Sequence, residues 1–270
     1  MDKVVSSAAE AVDGISDGSS LAVGGFGLCG IPSVLIAELF QRGVTDLEAV
    51  SNNCGLESWG LGILLKANRI SRMVCSYVGA NKDFERQFLT GGLEVELTPQ
   101  GTLAEKLRAG GAGIPAFFTA TGVGTQVAEG GIPLRYATDG SIAQASAPKE
   151  TREMDWHGER RTFVLEQAIT TDFALVRAWQ GDRHGNLVFR QSARNFNPLA
   201  AMAGRITIAE VEHLFEPGEI DPDTVHLPGI YVQRVLPLTP EQAADKHIEQ
   251  LTVQPKPDTL NGGAGHGLDP

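Results

Sequence analysis

A run of glycines between residues 24 and 30 is the first feature of the sequence that could do chemistry. The first, third and sixth positions of Gly25–Gly30 are glycines, the spacing with which dinucleotide-binding folds hold a pyrophosphate, and an apolar, strand-like stretch precedes them. Two observations oppose a nicotinamide site. In that fingerprint the helix begins among the glycines, where Pro32 would clash. The next strand should also end in an acidic residue, yet it ends in Ser51-Asn52-Asn53.

Two other interpretations of the glycine run stay open. It could be a tight turn that packs a strand on a helix. It could also be a site lined by backbone N–H groups for an anionic or thioester ligand, because Pro32 starts a helix directly after it.

Most familiar catalytic motifs are absent from the sequence, which contains no G-x-S-x-G elbow between a predicted strand and a helix, no H-E-x-x-H and no P-loop lysine. The six histidines lack ligand-like spacing, and Cys29, Cys54 and Cys75 form no C-x-x-C pair. We therefore expect neither a metal site nor a disulfide framework. No Asp or Glu stands at a strand end beside a glycine turn, so the chain offers no recognisable carboxylate nucleophile.

Neutral amides at predicted strand ends are the remaining polar candidates. Gln100 follows a predicted strand on a Pro-Gln-Gly turn, and its side-chain N–H could donate to an oxyanion or to a substrate carboxylate. Asn52 and Asn53 end another strand and could hydrogen-bond a substrate carboxylate or carbonyl. Residues of these types also stabilise turns and cap helices, so a purely structural role stays open for all three.

Composition narrows the class of protein further. Among the 270 residues, 33 are acidic and 22 basic, which gives a formal net charge of -11 and no basic stripe for nucleic acid. No apolar stretch approaches the roughly 20 residues that a membrane-spanning helix needs. The first 14 residues resemble no secretory or organellar leader, so we expect a cytoplasmic protein without nucleic-acid or membrane partners.

Strand and helix patterns alternate through the first 110 residues. Such alternation predicts an α/β fold with a mainly parallel sheet and helices on both faces. Ligands gather at the carboxyl ends of the strands in such sheets. Three segments should meet there: 24–30, 51–55 and 98–101.

The second half of the sequence is harder to interpret. The glycine-dense stretch 110–131 reads as a long loop, and the polar stretch 135–159 as irregular. Strand patterns resume at 162–165, 173–179, 187–190 and 206–211. We expect one domain over residues 1–238 and a mobile tail over 239–270, which carries several prolines and glycines.

At this point longer motifs become recognisable. The segment from Asp17 to Pro32 resembles the signature of the family I CoA-transferases, D-G-x-x-(three apolar)-G-G-F-x-x-x-G-x-P, at every position. The segments 51–55, 94–105 and 192–197 are also similar to that family, and the resemblance extends to about residue 237. The segments 76–81 and 84–87 favour the A subunit of the 3-oxoacid branch over the 3-oxoadipate and acetate relatives.

The resemblance implies a ping-pong reaction in which CoA passes from succinyl-CoA to a 3-oxo acid such as acetoacetate. A glutamate forms the covalent intermediates, and it belongs to a Ser-Glu-Asn-Gly motif of the B subunit that this chain lacks. The partner is therefore the B subunit, in a heterodimer or an A2B2 heterotetramer. CoA takes part as a thioester substrate, and no cofactor or metal is expected.

The resemblance also assigns residues. It places the oxyanion-hole glutamine at Gln100, and Asn52 and Asn53 remain the substrate-binding candidates. The CoA-binding segment is Gly24, Gly25, Phe26, Gly27, Leu28, Cys29 and Gly30. Two alternatives stay open: a sibling transferase that uses 3-oxoadipate or acetate, and a non-catalytic ligand-binding module on the same scaffold.

Overall fold

A parallel sheet forms the centre of the molecule in the computed structural model, which describes residues 1–79 and 81–246. Within these residues its strands are β1 (Ser20–Val23), β2 (Leu47–Val50), β3 (Ile70–Cys75), β4 (Glu94–Leu97), β10 (Thr171–Asp182), β11 (Leu187–Val188), β12 (Gly204–Phe215) and β13 (Arg234–Pro237). The order is β13-β12-β10-β1-β2-β3-β4, every pair on this path is parallel, and β11 pairs antiparallel with β10. The predicted mainly parallel sheet is confirmed.

Helices cover both faces of this sheet, as predicted. In the described residues they are α1 (Ala8–Ala11), α2 (Ser33–Arg42), α3 (Gly62–Lys66), α4 (Lys82–Leu89), α5 (Gln100–Gly111), α6 (Gln126–Glu129), α7 (Asn197–Ala203) and α8 (Pro240–Ala244). In β1, Leu21 and Val23 pack on the face that carries α2, α3 and α4, whereas Ala22 packs on the face that carries α5 and α7. Because alternate residues of a strand are buried on opposite faces of the sheet, most residues of these strands are apolar.

Successive strands are added to the sheet in opposite directions on the two sides of the boundary between β1 and β10. From β1 the chain crosses over α2 to β2, and from β10 it crosses over α7 to β12 on the other side. A crevice opens at such a reversal, outside the carboxyl ends of the two strands.

The stretches expected to be loop or irregular contain antiparallel strands, so that expectation was wrong. β5 (Ala116–Thr119), β9 (Glu159–Gln167) and β8 (Thr151–Trp156) form one small sheet, and β6 (Pro133–Tyr136) pairs with β7 (Ile142–Ala145). Every residue of β7 is exposed, and β8 is nearly so. Strands that bury neither face carry no alternation of apolar and polar residues, and that alternation is the signal on which strand prediction depends.

The segment beyond residue 238 begins with ordered structure. α8 follows Thr239, whose side chain and that of Gln242 form a reciprocal capping box. Beyond α8, Lys246 Nζ lies 2.9 Å from Glu212 Oε2 of β12. The predicted mobile tail otherwise falls on residues 247–270, which lie outside the described residues. No helix within the described ranges is long and apolar enough to cross a membrane.

Candidate active site at the carboxyl edge of the sheet

A cluster of amide side chains lies at the carboxyl edge, where the parallel strands end. Asn52 and Asn53 follow β2, Ser76 follows β3, and Gln100 is the first residue of α5 after β4. Asn52 Oδ1 accepts hydrogen bonds from Gln100 Nε2 at 2.7 Å and from Ser76 Oγ at 2.8 Å. Because β2, β3 and β4 are neighbours, their ends meet, and the predicted site residues Gln100 and Asn52 are in direct contact.

Burial differs within the cluster. Asn52 and Asn53 are 2 % and 8 % exposed, whereas Gln100 lies open to solvent. The bond to Asn52 uses one of the two N–H groups of the Gln100 amide, which leaves the other for a bound ligand. Asn52 Nδ2 points toward Asn53 Oδ1 at 3.5 Å, a long contact. The geometry is that of an exposed donor held from beneath by buried polar groups.

The position of Gln100 differs slightly from the sequence expectation. The sequence predicts Gln100 on a turn, but α5 begins at Gln100 itself, directly after Pro99. The unpaired N–H groups of the first helical turn therefore lie at the same edge as the side chain. A bound oxyanion there meets the positive end of a helix of 12 residues.

The glycine run forms a closed loop at the end of β1, hereafter the first loop (residues 24–30). Phe26 and Cys29 exchange two backbone hydrogen bonds, each of 3.0 Å, which close a four-residue turn. Gly25 and Gly30 on either side have φ of 110° and 70°, values that L side chains rarely adopt. The loop thus needs glycine at both ends, and α2 begins only after it, at Ser33.

A buried carboxylate that sequence analysis missed fixes the start of α2. Glu210 Oε2 accepts from the backbone N–H groups of Val34 at 3.1 Å and Leu35 at 3.2 Å. Complete burial raises the pKa of Glu210 to about 7, although Arg177 and the helix N–H groups act in the opposite direction. Glu210 lies within a buried stretch of β12, where a charge among apolar residues is the one signal that could have found it.

A cavity of about 540 Å³ lies beside the first loop, at the crevice between β1 and β10. Its volume is within the range of roughly 300–1,000 Å³ found for small-molecule sites. Its walls combine apolar and charged side chains, among them Leu28, Ile31, Trp59, Arg177, Trp179 and Lys246.

Exposed apolar side chains follow the same strand ends from which the amide cluster is built. We call them the apolar rim; they are Phe26, Leu56, Trp59, Tyr77 and Leu97, between 38 % and 62 % exposed. They lie at or just after the ends of β1, β2, β3 and β4. Single exposed apolar residues are ordinary, but a group along one edge is typical of a surface that another protein covers.

Comparison with known proteins agrees with this geometry. The family described as "Coenzyme A transferase" matches residues 5–237. A Mycobacterium tuberculosis protein, named as the A subunit of a probable succinyl-CoA:3-ketoacid coenzyme A transferase, is 67 % identical over 254 residues, which cover 94 % of this chain and 100 % of that protein. The human mitochondrial succinyl-CoA:3-ketoacid coenzyme A transferase 2 is 52 % identical over 260 residues, 96 % of this chain but 48 % of that protein.

A solved structure shows the same fold. Glutaconate coenzyme A-transferase from Acidaminococcus fermentans superposes with a TM-score of 0.71 at 22 % identity, over 90 % of this chain and 77 % of that one. At this identity the likeness supports the fold alone.

Proposed function

Because this chain belongs to the coenzyme A transferase family, we propose that it is the A subunit of an enzyme that moves CoA from succinyl-CoA to a 3-oxo acid such as acetoacetate. The observation that carries the proposal is the 67 % identity to an A subunit of that description, over that protein's whole length. The amide cluster at the carboxyl edge supports it, since acyl transfer needs donors for an oxyanion.

The proposed reaction proceeds in two halves. The B subunit's glutamate attacks the thioester carbonyl of succinyl-CoA, and the CoA thiolate leaves as the mixed anhydride forms. The thiolate then attacks the glutamyl carbonyl, which releases succinate and forms an enzyme-bound thioester. The carboxylate of the 3-oxo acid reverses these steps. Each attack passes through an oxyanion, and every group needed is a carboxylate, an amide or the CoA ester, so we propose no cofactor.

Gln100 is the proposed oxyanion donor of this chain. Its exposed amide keeps one N–H for the ligand, while Asn52, to which Ser76 also donates, fixes its orientation from below. We propose that Asn52 contributes mainly through Gln100, since the Asn52 carbonyl is already occupied by two donors. Asn53 remains a proposed contact to a substrate carboxylate. The first loop, from Gly24 to Gly30, is the proposed approach for the CoA thioester, with open space on its cavity side.

The B subunit is the proposed partner, in a heterodimer or an A2B2 heterotetramer. It would bring its glutamate to the amide cluster, and the apolar rim is the surface we propose it covers. A cytoplasmic location stays a prediction.

Activity of the separate and mixed subunits tests this proposal. Succinyl-CoA and acetoacetate are supplied to the purified chain, to the purified B subunit, and to their mixture, and acetoacetyl-CoA is measured. We expect turnover in the mixture alone. Equal turnover by the lone chain would contradict the shared site, and an inactive mixture would favour a binding module. Faster reaction with 3-oxoadipate or acetate would assign the chain to a sibling transferase.

Replacement of Gln100 tests the proposed oxyanion donor. Gln100→Ala should lower kcat of the assembled enzyme by about 10²–10³, the loss typical of one oxyanion-hole donor. Gln41→Ala is the matched control, since Gln41 is an exposed glutamine in α2, outside the amide cluster, and should leave kcat unchanged. An unaltered kcat for Gln100→Ala would contradict the role as oxyanion donor and leave Gln100 only a structural role at the start of α5.

A further inference from the structure

Asn197 lies directly beneath the first loop, although 167 residues separate it from Gly30. It is the first residue of α7 and has no solvent exposure. Its Nδ2 donates to the carbonyls of Gly30 and Ala193, both at 2.9 Å, and its Oδ1 accepts from the Arg177 backbone N–H at 3.0 Å. Both N–H groups and the carbonyl of one buried amide are therefore used.

The bond to Arg177 replaces a bond of the parallel sheet. β1 and β10 remain paired as far as the Gly24 N–H, which donates to the Leu175 carbonyl. In a regular parallel pair the next donor along β10, the Arg177 N–H, would bond to β1. Here β1 has turned away into the first loop, and Asn197 Oδ1 accepts that N–H instead. The side chain thus satisfies the backbone where the loop leaves the sheet.

Packing against the two ends of the loop is equally close. A Cβ placed on Gly24 would lie 2.0 Å from Asn197 Oδ1, and one on Gly30 would lie 2.8 Å from Asn197 Nδ2. Contacts this short exclude any side chain at either position while Asn197 keeps its place. The neighbouring Asn195 adds a partly exposed bond to the Cys29 carbonyl, at 3.1 Å.

We propose that Asn197 is a positioning residue that holds the first loop in the shape required by the CoA ester. It packs against Gly24 at one end of the loop and donates to Gly30 at the other. It also accepts the Arg177 N–H that β1 no longer accepts once the chain turns into the loop. The loop's shape is thereby determined by α7 and β10 as well as by its own glycines. That the ligand is a CoA ester rests on the proposed function; that Asn197 sets the loop geometry does not.

Two variants of the full-length chain test this inference. Asn197→Asp keeps the size and the acceptor for Arg177, but it turns a carboxylate oxygen toward two carbonyls. Asn197→Ala removes all three bonds without adding charge. In both, amide hydrogen exchange of residues 24–31 should accelerate about tenfold or more, because the loop loses its buried hydrogen bond at the Gly30 carbonyl. If either variant fails to fold, Gly24→Ala takes its place in the same measurement, because its added methyl group disturbs the contact between Gly24 and Asn197 from the side of the loop.

Thr207→Val is the matched control. Thr207 is also fully buried and donates to the Ala201 carbonyl of α7 at 2.6 Å, away from the first loop. It should lower overall stability without faster exchange of residues 24–31. Exchange that accelerates equally in Thr207→Val and the Asn197 variants would overturn the positioning role, and so would unchanged exchange in the Asn197 variants.

Kinetics of the assembled enzyme separate this inference from the proposed function. Asn197→Asp should raise KM for succinyl-CoA about tenfold, with KM for acetoacetate nearly unchanged. Faster loop exchange without any change in KM for succinyl-CoA would uphold Asn197 as the support of the loop and contradict the CoA role of the loop. Equal rises in both KM values would contradict the selective effect on the CoA ester.

Discussion

The first loop and the loop that follows β2 share one local design but differ in what supports them. We call residues 55–60 the second loop. Each is bounded by glycines five positions apart with positive φ, 110° and 70° in Gly25–Gly30 and 68° and 59° in Gly55–Gly60. In each, two residues exchange backbone hydrogen bonds across a four-residue turn, Phe26–Cys29 in one and Leu56–Trp59 in the other.

Support for the second loop comes mainly from its own backbone, although Gly60 also packs against Leu28 of the first loop. A Cβ on Gly62 would lie 1.6 Å from the Leu56 carbonyl oxygen, and one on Gly55 would lie 2.4 Å from that of Trp59. The first loop instead rests on Asn197, and the helix after it starts on Glu210, 176 positions from Val34. A self-supporting turn can form early and locally, whereas the first loop takes its final shape only when β10, α7 and β12 are in place.

The largest effect should come from filling the tightest glycine beside the second loop. Gly62→Ala would place a methyl group against the Leu56 backbone, and we expect the free energy of unfolding to fall by about 3 kcal/mol or more. Gly24→Ala meets a side-chain oxygen at 2.0 Å and should cost less, about 1–3 kcal/mol. Urea unfolding of the full-length chain measures both.

Two further variants sharpen this contrast. Gly101→Ala is the control, because nothing lies within 4 Å of the added Cβ in α5, and it should not destabilise the chain. Asn197→Ala should reduce the cost of Gly24→Ala, because the added methyl group then lacks its nearest obstacle, and leave the cost of Gly62→Ala unchanged. A larger loss in the free energy of unfolding for Gly24→Ala than for Gly62→Ala would contradict the view that distant residues support the first loop and neighbouring residues support the second.

Glu210 gives the start of α2, the helix that follows the first loop, a dependence on pH. Its pKa is about 7 in the folded chain against 4.5 for an ordinary glutamate, so between these values the folded state holds a proton that the unfolded state has released. The contribution of Glu210 to stability is therefore fully present below pH 4.5 and is lost as pH rises through 7. Glu210→Gln removes this titration, so the wild type should lose about 2 kcal/mol relative to the variant between pH 5 and pH 7.5.

The same substitution in the second loop is the control for this titration. Glu57→Gln should retain the pH dependence of the wild type. Urea unfolding at pH 5, 6 and 7.5 gives the three curves. Parallel curves for the wild type and Glu210→Gln would show that Glu210 keeps its charge throughout, and the cap of α2 would then not depend on pH.

Local sequence patterns encode only part of this site. Uniformly apolar strands separated by amphipathic helices predicted the sheet, and the rule for carboxyl ends brought Gln100 to Asn52. Asn197 lies within a segment that resembles the family, but the sequence predicted no role for it, because Asn197 and Gly30 are 167 positions apart in the chain. Glu210 was missed for a related reason: nothing in an apolar strand indicates that one carboxylate caps a helix that follows a different strand of the sheet.

The smallest effects on stability are expected at the tips of the two loops, and they test whether both face the partner. Phe26 is 48 % exposed and Leu56 is 38 % exposed, so Phe26→Ser and Leu56→Ser should each change the free energy of unfolding by about 0.5 kcal/mol or less. Affinity for the B subunit should nevertheless fall about tenfold for each, since a buried interface loses an apolar anchor.

Leu89→Ser separates a docking effect from a general loss of apolar surface. Leu89 is 49 % exposed at the end of α4, which leads to the start of β4 and thus to the opposite edge of the sheet. Its replacement should leave the affinity unchanged when titration calorimetry measures binding of the B subunit. If Phe26→Ser weakens binding and Leu56→Ser does not, the partner covers the first loop alone, and the two loops would differ in function as well as in support. Unchanged affinity in both variants would remove the apolar rim from the interface, because serine in place of an apolar side chain that the partner buries must weaken the complex.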